Sequence, residues 1–215
     1  ATAASLTHVH RTRIKICGLT REEDVRAVVE SGADAIGFVF YPPSPRYVSF
    51  QRAAELARLV PPFVTIVGLF VNPARHYVEE ALETVPLQVL QFHGDESEAD
   101  CTGYGLPYLK AARMRPGLDL LKYAASFSSA QGLLLDAFVE GYGGGGETFD
   151  WSLIPSVLPL PLILSGGLHA GNVAEAVRCV RPWAVDVSSG VEAAKGIKDA
   201  ARITEFVAGV QNAHG

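Results

Sequence analysis

Arg13-Ile14-Lys15-Ile16-Cys17-Gly18-Leu19-Thr20 decides how the rest of the chain is read. Ile14 and Ile16 mark a short strand that stops at Gly18, and a helical pattern begins directly afterwards. Cys17 therefore falls at the C-terminal end of a strand. Thr20, followed three residues later by Glu23, fits a capping box, and Glu22, Glu23 and Asp24 suit the positive end of a new helix. In parallel α/β architectures ligands gather at the carboxyl ends of strands, so a thiol on that rim sits where chemistry is expected.

Outward from this stretch, the alternation of strand and helix repeats. Val25, Val28 and Val29 form an apolar stripe at helical spacing, closed by Ser31-Gly32. Residues 35–40 are continuously apolar, as in a strand covered on both faces. Further strands are expected over 64–70, 88–93, 108–112, 132–137, 162–165 and 184–188. Helical patterns separate them over 51–60, 74–84, 97–103, 118–126, 151–158, 172–180 and 200–211. Eight strand–helix units in 215 residues are the arithmetic of a single (β/α)8 TIM barrel, in the α/β class. A doubly wound open sheet would more often carry five or six strands and a glycine-rich turn after the first, whereas here the glycines cluster late. The division expected is a flexible tail over 1–12 and one catalytic barrel domain over 13–215.

Composition narrows the partners. The chain is 48% hydrophobic and 19% charged with a net charge of -5, so it lacks the basic stripe that nucleic acid or an anionic membrane surface would need. A small-molecule partner is expected instead. Cys17, Cys101 and Cys179 are odd in number and widely spaced, which suggests neither a disulfide framework nor a zinc site. No apolar run reaches membrane-spanning length and no signal-peptide core precedes Arg13, so a cytoplasmic protein is expected. No metal and no cofactor are suggested, and the assembly is expected to be a monomer or a homodimer.

The polar residues at strand ends are Cys17, Ser44 with Arg46, Asn72, His93, Asp136, Ser165-Gly166-Gly167 and Asp186-Val187-Ser188-Ser189-Gly190. Asp136 closes the run Leu133-Leu134-Leu135. A carboxyl group there is a candidate general acid, because removal from water favours the proton-carrying form of such groups; the structural alternative is a loop cap. The glycine turns after the last two strands offer backbone N–H groups at the usual phosphate position of such barrels, although glycines also simply permit tight turns. Arg46, in the stiff Pro42-Pro43-Ser44-Pro45 loop, is either a carboxylate clamp or a solvated cation. His93 either meets ligand or bonds its own loop. The run Gly143-Gly144-Gly145-Gly146 reads as a lid or a linker, and Asp150 as a helix N-cap.

Six ordered motifs carry a family resemblance: Lys15-Ile16-Cys17-Gly18-Leu19, Gln91-Phe92-His93-Gly94-Asp95-Glu96, Leu134-Leu135-Asp136, Gly143-Gly144 through Phe149-Asp150-Trp151, Leu164-Ser165-Gly166-Gly167-Leu168 and Val185-Asp186-Val187-Ser188-Ser189-Gly190-Val191-Glu192. Together, and collinear from about Arg13 to Val210, they resemble phosphoribosylanthranilate isomerases of tryptophan biosynthesis. The resemblance implies an Amadori rearrangement of a phosphorylated aminosugar, phosphoribosylanthranilate, without metal or cofactor. It makes Asp136 the general acid and Cys17 the general base. It also implies that Arg46 binds the anthranilate carboxylate, that Gly166, Gly167, Ser189 and Gly190 hold phosphate, and that His93 and Asp186 line the pocket. One departure is Gly145, where the family shows threonine or serine between glycines.

Two other readings compete. An aminoaldose isomerase of the histidine pathway resembles this pattern, but that family usually has aspartate at the position held here by Cys17. A non-catalytic phosphosugar-binding barrel would keep the glycine turns without needing the acid or the base.

Overall fold

A computed structural model describes residues 10–115, 117–137 and 150–214. Eight strands, β1 (Arg13–Cys17), β2 (Ala35–Val39), β3 (Thr65–Phe70), β4 (Val89–Phe92), β5 (Tyr108–Arg113), β6 (Gly132–Asp136), β7 (Leu162–Ser165) and β8 (Ala184–Val187), follow one another in order. Every neighbouring pair is parallel, and β8 pairs back onto β1 to close a barrel. The TIM barrel expected from the apolar runs is therefore the observed fold. Outside the strands lie α1 (Glu22–Glu30), α2 (Phe50–Ala57), α3 (Arg75–Thr84), α4 (Glu98–Cys101), α5 (Leu120–Ala125), α6 (Val173–Val180) and α7 (Ala200–Asn212).

Two local expectations fail. Over 151–158 only a 3-10 turn, Trp151–Leu153, forms. Asp150 does cap it, accepting a hydrogen bond from the Ser152 N–H at 3.0 Å, but Pro155, Pro159 and Pro161 each withhold a donor and bar continuation. At the start of α1 the capping box is absent, and Arg21 takes the N-cap position without a side-chain cap. The Thr20 hydroxyl instead donates to the Gly196 carbonyl at 2.6 Å. That carbonyl belongs to an unforeseen antiparallel hairpin, β9 (Glu192–Ala194) and β10 (Ile197–Lys198). The backbone N–H of Lys198 donates to buried Asp24, so the hairpin is fastened to α1.

The core has two parts. One large apolar shell fills the space between the strands and the helices, and a smaller cluster of Ala111, Leu134, Ile163 and Ala184 lies inside the barrel. Those four are directly paired across β5 to β8, so they define one inward layer. Side chains alternate along a strand, so the residues two places on point the same way. That rule aims Arg113, Asp136, Ser165 and Asp186 into the barrel at its C-terminal end.

The chain is anchored before Arg13. Arg11 forms a fork on Asp34 at 2.7 and 3.1 Å, and the hydroxyl of buried Thr12 lies 3.0 Å from His214 Nε2. The glycine run 143–146 lies outside the described residues.

Candidate active site

Cys17 ends β1 directly opposite Gly37 of β2. A β-carbon on Gly37 would come within 2.7 Å of Cys17 Sγ and 3.2 Å of Lys15 Nζ, so the bare glycine makes the space in which sulfur and ammonium sit. Gly18, at φ +83°, does the same on the other side, where a β-carbon would meet Arg46 Cδ at 2.6 Å.

Beneath Cys17 lies a buried polar chain. Lys15 Nζ donates to Asp186 Oδ1 at 2.8 Å, and the Ser165 hydroxyl reaches Asp186 Oδ2 at 3.2 Å. Burial opposes the charge on Lys15, yet Asp186 and Cys17 together raise its pKa above the ordinary lysine value. Asp186, expected on the pocket wall, is only 6% exposed and is engaged by these two side chains.

A second group of charges approaches Cys17 from the rim. Arg46 donates through Nε and Nη2 to Glu192 at 2.8 and 2.6 Å, and Lys198 Nζ lies 3.1 Å from the same carboxylate. Burial pulls the Lys198 pKa below its ordinary value in spite of Glu192 and of Cys17. For Glu192 burial works in the opposite direction, but Arg46 and Lys198 prevail and its pKa lies below the ordinary value. Arg46 is thus neither solvated nor free: Glu192 holds one edge of its guanidinium.

Across the barrel, Asp136 stands beside Arg113 in register, and its Oδ2 is 4.0 Å from His93 Nε2. The buried amide of Gln91 sits 3.1 Å from His93 Nδ1 and fixes the ring from behind. Burial lowers the His93 pKa below 6.5, against the pull of Asp136 and Asp186. The loop that carries His93 is locked by Glu96, whose carboxylate accepts the N–H groups of Asn72 and Gly94 and pairs at 3.1 Å with buried Lys110. Glu96 therefore accounts structurally for the end of its motif.

The two glycine turns interlock. Gly166 and Gly167 both have positive φ, at +88° and +67°. A β-carbon on Gly190 would stand 1.9 Å from the Leu168 carbonyl oxygen, so only glycine lets the 3-10 turn Ser189–Val191 lie against the β7 loop. An open cavity of about 790 Å³ spans the mouth near β2 to β5, with Arg46, His93, Arg113 and Arg115 on its wall. Among the described residues, no His/Cys/Asp/Glu group could hold a metal and no helix is long and apolar enough to cross a membrane.

The family model described as N-(5'phosphoribosyl)anthranilate (PRA) isomerase matches residues 14–209. The chain belongs to that family. As a phosphoribosylanthranilate isomerase, it is an enzyme of tryptophan biosynthesis. It is 68% identical to the N-(5'-phosphoribosyl)anthranilate isomerase of Dechloromonas aromatica, over 94% of this chain and 98% of that protein. Among solved structures, the phosphoribosyl anthranilate isomerase of Thermotoga maritima superposes with a TM-score of 0.86 at 42% identity, covering 94% of this chain and 99% of that one. Another, a phosphoribosyl anthranilate isomerase in complex with reduced 1-(o-carboxyphenylamino)-1-deoxyribulose 5-phosphate, gives 0.83 at 40%, again covering 94% and 99%.

In this isomerase several members of the site were not read from sequence. Lys15, Gly37, Gln91, Arg113 and Lys198 each border a residue of the candidate site: Asp186, Cys17, His93, Asp136 and Glu192 in turn. Lys15 had one usable signal: it lies two residues before Cys17 in an apolar strand, hence on the same face, and a lysine there is buried only when paired. Lys198 had none, because its hairpin was not anticipated.

Proposed function

We propose that the chain converts N-(5-phosphoribosyl)anthranilate into 1-(2-carboxyphenylamino)-1-deoxyribulose 5-phosphate, with Asp136 as general acid and Cys17 as general base. The observation that carries this reading is that Cys17 and Asp136 end β1 and β6 at the C-terminal end of one closed barrel, with glycine turns after β7 and β8 at that same end. Asp136 gives its proton to the ribose ring oxygen. The C1′–O bond breaks with its electron pair going to that oxygen, while the anilino nitrogen lone pair forms the C1′=N iminium. Cys17, as thiolate, removes the C2′ proton; the C–H pair becomes C1′=C2′ and the iminium pair returns to nitrogen. Proton transfer from the enol hydroxyl to C1′ completes the aminoketose with no net redox change, and the proton taken by Cys17 passes through solvent to Asp136, which restores both groups.

In the same reading, N–H groups at Gly166, Gly167, Ser189 and Gly190 hold the phosphate. Arg46 meets the anthranilate carboxylate with the part of its guanidinium that Glu192 does not hold, and Arg113 and Arg115 line the space for the aromatic end. His93 steadies Asp136 and the ribose hydroxyls. A cytoplasmic monomer or homodimer remains our proposal for the assembly.

The test is the decay of anthranilate-type fluorescence on mixing with fresh phosphoribosylanthranilate. Asp136→Asn and Cys17→Ala each lower kcat by about 10³-fold while the far-UV spectrum is kept. An active Asp136→Asn enzyme would overturn the assignment of the acid.

A further inference from the structure

Three cations border the space around Cys17: Lys15 of β1 in the gap beside Gly37, Arg46 of the loop after β2 in the gap beside Gly18, and Lys198 of β10, 3.2 Å from the Ser188 hydroxyl at that same gap. Two of them are held by Glu192 of β9, and the charge of each reaches Cys17 only through space. Lys15 differs, because its ammonium and the Cys17 sulfur both border the one gap left by the bare Gly37. Its backbone is paired on both sides, to β2 and to β8, so its Cα cannot drift. Its ammonium is fixed by Asp186, which Ser165 holds in turn. Across the barrel, the other ionisable groups aimed inward among the described residues are His93, Asp136 and Arg113.

We propose that Lys15 is the positioning residue of Cys17: a fixed ammonium that orients the sulfur and accompanies its negative charge, held in place by Asp186 and Ser165. The inference rests on Cys17 being the base. Lys15 keeps its protons throughout and no bond to it changes; it acts on the reaction only through the sulfur. Rigid second contacts of this kind are what hold a catalytic group within the narrow geometry that turnover demands.

Alkylation of Cys17 by iodoacetamide, located by mass spectrometry and followed against pH, reads the thiolate directly and independently of turnover. Cys179 is exposed and would compete, so all proteins carry Cys179→Ser, which lies on α6 outside the site. Cys101 is buried, its thiol pushed up to about 12, and stays silent. Removing Lys15 alone would strand a buried carboxylate, so the principal variant is Lys15→Met with Asp186→Asn, which removes both charges together.

This double variant is expected to raise the alkylation midpoint by about one pH unit, and to lower kcat by about 30-fold with KM within about threefold. Asp186→Asn alone keeps the ammonium and leaves the midpoint at or below the parent value. If the double variant does not fold, Lys15→Gln, which keeps a donor toward Asp186 but leaves its charge uncompensated, is expected to show at least as large a rise. An unchanged midpoint in the variants lacking Lys15, or an equal rise in Asp186→Asn alone, would overturn the proposal. Failure of the base assignment is separate: Cys17→Ala would then turn over at the parent rate while the midpoint shift still stood.

Discussion

Gly37 and Cys17 face each other across the β1–β2 seam so closely that a single methyl on Gly37 would lie 2.7 Å from the sulfur. Real contacts are not that short, so in Gly37→Ala the sulfur and the Lys15 ammonium must both give way. Displacement of a catalytic group by about 1 Å commonly costs about 10²-fold in rate. Gly37→Ala is therefore expected to lose about 10² in kcat while the melting temperature changes by only a few degrees. Parallel kinetics and calorimetry check it, and a near-parent kcat would show that the seam yields without moving the thiol.

The phosphate reading makes a separate claim at Gly190. A β-carbon there meets a backbone oxygen, which cannot swing aside as a side chain can. Gly190→Ala is expected to part the two turns, raising KM by about tenfold or more through lost anion contacts, with a smaller change in kcat. Inorganic phosphate as a competitive inhibitor gives the complementary reading: its inhibition weakens in the same proportion.

Glu96 and Lys110 form an almost fully buried ion pair behind the His93 loop. Truncating one partner leaves the other charge buried and alone. Glu96→Ala is expected to cost about 3–5 kcal/mol in chemical denaturation, whereas Glu96→Gln with Lys110→Met costs distinctly less. Equal losses in the two proteins would show that stranding the Lys110 charge adds nothing to the cost of losing the pair.

The acid limb of stability should carry the mark of Glu192. Its pKa is depressed in the folded chain below the ordinary value of 4.5, since Arg46 and Lys198 outweigh the cost of burial. The unfolded chain therefore binds the proton first as pH falls, and folding loses stability in that window. The contribution is complete above about pH 4.5 and is lost as pH drops through the lowered folded value. Melting temperatures below pH 5 should decline more steeply in the parent than in Glu192→Gln.

Strand count and order were legible because strands buried on both faces read as unbroken apolar runs. The places of Cys17 and Asp136 at strand ends were legible because each is polar and closes such a run. Other features were not legible, for reasons that can be named. Trp151, Ile154 and Leu158 have helical spacing, but Pro155 and its successors veto the helix locally. Thr20 and Glu23 fit a capping box by spacing, yet a hairpin contributed by far later sequence claims the Thr20 hydroxyl. The strand pattern around Lys15 calls for a buried partner, but that partner, Asp186, lies 171 positions away and no local spacing points to it.

That separation also sets an order of events during synthesis. Lys15 and Cys17 leave the ribosome early, while Asp186 follows 171 residues later, about 10–30 s at ordinary elongation rates. Glu192 and Lys198 come later still. Until β8 closes on β1, the nascent chain carries a lysine without its counter-ion and a thiol without its enclosure. The β8–β1 seam is thus the one that gives Lys15 its counter-ion, and a chain cut short before it would be not a weakened barrel but an unclosed one.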